Sequence, residues 1–173
     1  MAKLKPRARL IRTIGDKLIS GPEAAIIELV KNSYDADSPS VEIKITPPSP
    51  SDGRITIHDY GHGMTYDEIV GVWLEPATDS KVKRRSSRSG ERQVLGAKGV
   101  GRFATASLGR ILELTSIANN NGVMEESKLK LDWNIFETAE YLEDIDIAIE
   151  KRTLPNCDAK TGVSLKVTNL NDI

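Results

Sequence analysis

The sequence predicts an α+β fold, a two-layer α/β sandwich with helices laid over a mainly antiparallel sheet. The first observation is that five stretches alternate apolar and polar residues with period two: "VEIKI", "RITIHD", "KLKLDWNI", "DIDIAIE" and "VSLKV". Such alternation gives a strand one buried and one wet face, as in an antiparallel sheet covered on one side; parallel strands buried on both faces read as continuous apolar runs. The second is that helical patterns recur at about residues 7–19, 22–36, 65–73 and 99–108, which makes the covering layer helical. The third is bulk: 173 residues, 39% hydrophobic and 28% charged, suit a single domain over 1–173 with a real core.

Along the chain, the charged start "MAKLKPRARL" has no apolar run of signal-peptide length and leads into the first helical pattern. The second, 22–36, buries its apolar residues but carries Glu28, Asn32 and Asp35 at i, i+4 and i+7, which puts all three on one face. From this helix alone, the stripe fits an ordinary amphipathic helix turned to water. The strands "VEIKI" and "RITIHD" follow, joined by the proline-stiffened turn "TPPSPSDG".

The second strand ends in "HDYGHGM". Asp and Gly commonly make a strand-ending turn, and that is the plain reading. A carboxylate beside two glycines can also hold a flat heterocycle: Asp59 would accept from an exocyclic amine, and Gly61 and Gly63 would let the ring approach the backbone. His62, alone between glycines, is given no catalytic role.

After the pattern at 65–73 comes "TDSKVKRRSSRSGERQ", residues 78–93, long, polar and strongly basic. Then "LGAKGVGRFATASLG" sets glycines at 96, 99 and 101 before a helix-like run, where free backbone N–H groups and a positive helix end suit phosphate. It is not a Walker A loop, since no Lys-Ser or Lys-Thr follows the last glycine. Gly99, Gly101 and Ala104 match dinucleotide spacing, but the preceding residues are a basic polar segment where that motif needs a strand. A protein-kinase glycine loop needs strands on both sides, which "RFATASLG" does not offer. "NNNG" is a turn between two later strands, and the last three alternating stretches complete the sheet.

Whole-chain charge points to neither nucleic acid nor membrane as an obligatory partner, with 24 Lys and Arg against 25 Asp and Glu. The single Cys157 can form no internal disulfide and is read as incidental, and the chain is read as cytoplasmic.

In their order and separation, "ELVKNSYD", "DYGHG" and "GAKGVG" resemble the motifs of the GHKL superfamily of ATP-binding domains, which groups DNA gyrase B, a heat-shock chaperone, histidine kinases and MutL. The N-box pattern E-x-x-x-N with a following Asp is matched by Glu28, Asn32 and Asp35, and D-x-G-x-G by Asp59, Gly61 and Gly63. The resemblance implies the Bergerat fold, helices over a mixed, mainly antiparallel sheet. ATP then lies between the N-box helix and a flexible lid, which falls at 78–98 and carries the basic segment. The competing reading of that segment, a nucleic-acid patch, is weakened by its lack of aromatic residues for base stacking.

The resemblance also implies roles. Asn32 would anchor Mg²⁺, which keeps mainly water and phosphate oxygens, and Glu28 would act on the attacking water. ATP contacts would come from Asn32, Asp35, Asp59, Gly61, Gly63, Met64, Gly96, Lys98, Gly99, Val100, Gly101, Arg102 and Phe103. In one respect the chain departs from gyrase-like, MutL-like and chaperone-like members. They open a late strand with Gly-Thr, but Val163 follows Gly162, leaving adenine to Asp59 and water or to Thr161 or Ser164.

An N-box within the first thirty residues argues against a histidine kinase, whose phospho-accepting hairpin comes first. The chain looks more like the chaperone, MutL and MORC branch, whose ATP-driven dimers act as clamps, and is expected to be the N-terminal part of a longer protein. It is expected to be an ATPase, weak as an isolated domain. The alternatives are a nucleotide-sensing module or a histidine-kinase catalytic domain. The client, nucleic acid or protein, is not legible, and no membrane partner is expected.

Overall fold

A computed structural model describes residues 5–47, 52–75, 86–96, 101–155 and 158–171. Lys98, Gly99 and Val100, the 78–85 part of the expected lid and Cys157 lie outside these residues, as does the Arg102 side chain. The helix pattern at 7–19 becomes α1 (Leu10–Leu18). The next becomes α2 (Pro22–Asp35), entered through Gly21 at φ 131 with proline in its first turn, where a missing N–H costs nothing.

Then come β1 (Val41–Thr46) and β2 (Arg54–Asp59), followed by α3 (Tyr66–Glu68), which starts on a capping box between Thr65 and Glu68. This helix lasts one turn and widens into a π turn over Ile69–Trp73, which buries Ile69 completely. A 3₁₀ turn at Gly101–Phe103 opens α4 (Ala104–Leu108). The remaining elements are β3 (Gly109–Asn120), β4 (Val123–Asp132), α5 (Ile135–Thr138), β5 (Ile149–Thr153) and β6 (Gly162–Leu170).

The strands form one six-stranded sheet in the order β1-β2-β6-β3-β4-β5, with every neighbouring pair antiparallel. The expected α+β sandwich is therefore present. β6, the last described strand in sequence, is inserted between β2 and β3, so the two halves of the sheet are joined through it. Rows of paired residues fill the helix-covered face: Ile55 with Val167, Val167 with Leu112, and Leu112 with Leu131. Leu29, Phe103, Leu108, Trp133 and Phe136 cover them from above. The other face is polar, with Glu113 between Lys130 and Lys166, and Glu126 paired to Lys128 and Arg152.

Two expectations shift. β3, 12 residues long and central, was not among the five alternating stretches. Its covered face mixes Leu112 and Leu114 with Ser116 and Ala118, while Ile111 and Ile117 sit on the opposite face, so the apolar rhythm is blurred. In "DIDIAIE", only Ile149 onward pairs with β4; a 3₁₀ turn at Leu142–Asp144 precedes it, and Ile145 and Ile147 pack on the core without joining the ladder.

Candidate functional site

The polar stripe of α2 lies beside both other motif regions. Ser33, next to Asn32 and buried, donates from Oγ to Asp59 Oδ2 at 3.2 Å and shares that hydroxyl with the Leu29 carbonyl at 3.3 Å. Asp59, 7% exposed, ends β2, and its Oδ1 accepts from Gly61 N at 3.0 Å and Val163 N at 3.2 Å. These backbone donors fix the carboxylate's plane without neutralising it by a basic side chain, leaving it able to accept a further polar hydrogen.

The glycines around Asp59 are also required by close backbone packing. A Cβ on Gly61 would stand 2.5 Å from the Ala36 carbonyl oxygen, and one on Gly63 (φ +67) 2.0 Å from that of Ile117. Protein backbone occupies the place of a side chain, so α2's end and β3 require glycine at these positions. Gly162 belongs to the same group: at φ +152, its Cβ would meet the Asp59 carbonyl oxygen at 2.1 Å. Met64 is tied down by a reciprocal pair with Ser116, donating from N at 2.7 Å and accepting at its carbonyl at 2.8 Å.

In the middle of the stripe, Gly101 abuts Asn32 so closely that a Cβ would lie 2.9 Å from Asn32 Nδ2. The start of the 3₁₀ turn and the N-box amide are thus in contact, and Phe103 two residues on is buried beneath α1 against Trp133. Glu28, one turn before Asn32, is half-buried and paired with Lys31 Nζ at 2.7 Å. Asp35 accepts from Leu95 N at 2.8 Å and Gly96 N at 3.0 Å, so its carboxylate holds the segment entering the glycine box. The residue that sequence reasoning placed on ATP thus also receives two protein amides.

Residues 86–96, the described part of the expected lid, are docked on α2's C-terminal end. A bridge between Ser86 and Gln93 and a turn at Gly90 (φ 79) make a small hairpin. Its Ser89 donates from N and from Oγ to the two carboxylate oxygens of Asp37, each at 2.8 Å. The Ser87 hydroxyl above all, and then both Ser89 donors and the nearby Arg92 charge, hold the Asp37 carboxyl at about 2 against a burial penalty. Arg92 donates to the carbonyls of Tyr34 at 3.1 Å and Ser38 at 2.9 Å and lies over the Tyr34 ring, while Arg88 pairs with Glu68 of α3.

Ser33, Asp37 and Ser89 are residues the sequence reading missed, and it left Arg92 as one cation of the basic segment without a partner residue. Serines and a basic loop look like solvent-facing sequence, and only the tertiary partners distinguish them. Thr161 donates to the Gly61 carbonyl at 2.7 Å, beside Asp59, whereas Ser164 pairs across with His58 and Thr115 on the sheet's other face. Of the two hydroxyls proposed in place of the family threonine, Thr161 is therefore the one near Asp59.

Among the described residues, no group of three or more His, Cys, Asp or Glu side chains is placed to hold a metal ion, and no helix is long and apolar enough to cross a membrane. A cation held by one amide oxygen and phosphate needs no such group, and the Asn32 amide beside Gly101 fits that donor set.

Residues 19–161 match the family described as histidine kinase-, DNA gyrase B-, and HSP90-like ATPase, and the chain belongs to that family of ATP-binding domains. It is similar to a DNA mismatch repair protein MutL of Methanoculleus marisnigri, 30% identical over 106 residues, which are 61% of this chain and 17% of that protein. A MutL of Halobacterium salinarum is 30% identical over 108 residues, 62% of this chain and 15% of the relative. The chain thus spans less than a fifth of the length of these relatives.

Proposed function

We propose that this domain, spanning 1–173 with a lid at 78–98, binds ATP with Mg²⁺ and hydrolyses it. In this reading it serves a longer cytoplasmic protein whose ATP-dependent homodimer closes like a clamp. The observation that carries the reading is the position of α2: through Ser33 it touches Asp59, and through Asn32 it touches Gly101. Two neighbouring residues of one helix thus stand beside the carboxylate that would accept from adenine and the glycine turn that would meet phosphate.

Adenine's exocyclic amine would donate to Asp59, whose plane the Gly61 and Val163 amides fix. Phosphates would meet the backbone of the glycine box, with Lys98 as a direct cationic contact. Asn32 would hold Mg²⁺ through its amide oxygen; when bound, the cation supplies charge neutralisation at the phosphate oxygens. Glu28, on the same face one turn away, would orient or deprotonate the attacking water. Asp35, the third N-box residue, would face the nucleotide as well as supporting, with the Asp37 hairpin, the approach to the glycine box. The names of the relatives support DNA as what the longer protein acts on.

The test is titration calorimetry of ATP on wild type and Asn32→Ala, each with Mg²⁺ and with EDTA. The reading expects a loss of affinity with Mg²⁺ and a much smaller one in EDTA; equal losses would remove Asn32 as the magnesium ligand. A second reading, a nucleotide sensor without productive turnover, is favoured by the Lys31 ammonium on the Glu28 carboxylate. Steady-state turnover distinguishes the two.

A further inference from the structure

β1 stands at the end of the sheet order, hydrogen-bonded to β2 alone, and among the described residues no strand lies beyond it. Ile43 and Ile45 occupy the helix-covered face, opposite Ile57 and Ile55 in the ladder. Those partners are each 2% exposed, but Ile43 is 40% exposed and Ile45 58%. The helical layer stops short of this edge, which therefore offers both unpaired backbone groups and apolar side chains, the combination that templates another strand.

The order of side chains in "VEIKI" identifies what fits. We propose that β1 pairs with β1 of a second copy of this chain, antiparallel about a two-fold axis at Ile43. In that register, Ile43 lies against Ile43, and Val41 of each copy lies against Ile45 of the other. On the opposite face, Glu42 of each copy lies against Lys44 of the other. Directly opposed β-branched and opposite-charge pairs are the stabilising unit of an antiparallel ladder. Centring on Glu42 sets carboxylate against carboxylate, and centring on Lys44 sets ammonium against ammonium, so the charges select the Ile43 register. A lysine on an edge strand ordinarily deters pairing. Here Glu42, two residues away, turns that deterrent into a complement for an identical strand. The partner is thus another copy of this chain, and the product is one continuous sheet with both helical layers on the same side.

The pairing needs no nucleotide and stands apart from the ATP reading, so its test is run without ATP. Sedimentation equilibrium of the wild-type chain should show a concentration-dependent dimer. Lys44→Glu and Glu42→Lys, each alone, replace two attractive pairs by two repulsive ones and should weaken the dimer at least about tenfold. The double variant Glu42→Lys/Lys44→Glu restores opposite charges in the same register and should regain the wild-type dimer. Because Glu42 also accepts from the Tyr60 hydroxyl at 2.6 Å, thermal melts accompany each variant; Lys44→Glu keeps that bond. As a measurement without substitution, amide hydrogen exchange across Val41–Thr46 should slow as protein concentration rises. A wild type that stays monomeric, a double variant as weak as the single ones, or exchange independent of concentration would overturn the proposal.

Discussion

At the residue scale, the proposed chemistry rests on two carboxylates held in opposite ways. Asp59 is buried and fixed by two backbone amides and a serine hydroxyl. Asp59→Asn keeps an oxygen for Gly61 and Val163 but turns an NH₂ group toward Ser33, so the fold should survive while an adenine amine would meet a donor. Such a mismatch costs about 1–3 kcal/mol, or roughly tenfold to a hundredfold in affinity, to be read by ATP calorimetry beside a thermal melt. Unchanged affinity would remove Asp59 from the adenine site. Glu28 is only half-buried and pairs with Lys31. If it acts on water and does not hold nucleotide, Glu28→Ala leaves ATP affinity within a few fold and lowers turnover about 10²–10⁴-fold. Gln should be nearly as slow, since it keeps the volume without the basicity. Wild-type turnover in either variant would exclude the role.

At the element scale, the hairpin within 86–96 is a docked piece held by Asp37 as well as by Arg92. The Asp37 carboxyl is depressed from 3.8 to about 2, chiefly by the Ser87 hydroxyl and also by the Ser89 donors, so the anionic form is the one that holds the hairpin. A depressed native value means that the contribution is complete above the ordinary carboxylate range and is lost as pH falls through about 2. The Ser89 amide resonance should therefore move with a midpoint near 2 in an acid titration by NMR, and Asp37→Asn should abolish that step at every pH. A midpoint in the ordinary range would show that the hairpin is not docked through Asp37 in solution. Since Asp35 holds Leu95 and Gly96 on the same helix end, the hairpin and the approach to the glycine box share one support.

At the scale of the whole molecule, β3 and β6 at the centre of the sheet carry the helical layer that holds α2 in place. Leu114 is 1% exposed and lies between Leu129 and Leu165 in the ladder. Leu114→Ala should cost about 2–5 kcal/mol in urea unfolding, since a central strand cannot collapse around the cavity. A loss well below that range would mean that the neighbouring strands close the gap.

The sandwich and the order of its motifs were legible in the chain because they rest on local periodicity: apolar residues at alternate positions in β1, β2 and β6, and Glu28, Asn32 and Asp35 spaced by helical turns. The family followed from three short motifs whose residue types are dictated by helix geometry, a strand end and a glycine turn. What the chain could not disclose depends on partners distant in sequence. Gly61, Gly63 and Gly162 are glycine because other segments' backbone presses on them, and Asp35 serves Leu95 and Gly96. The basic segment's Arg92 ends on the carbonyls of Tyr34 and Ser38. Periodicity records which face of an element is buried, while hydrogen-bond partners and close backbone approach are set only when β6 enters between β2 and β3 and the layers pack.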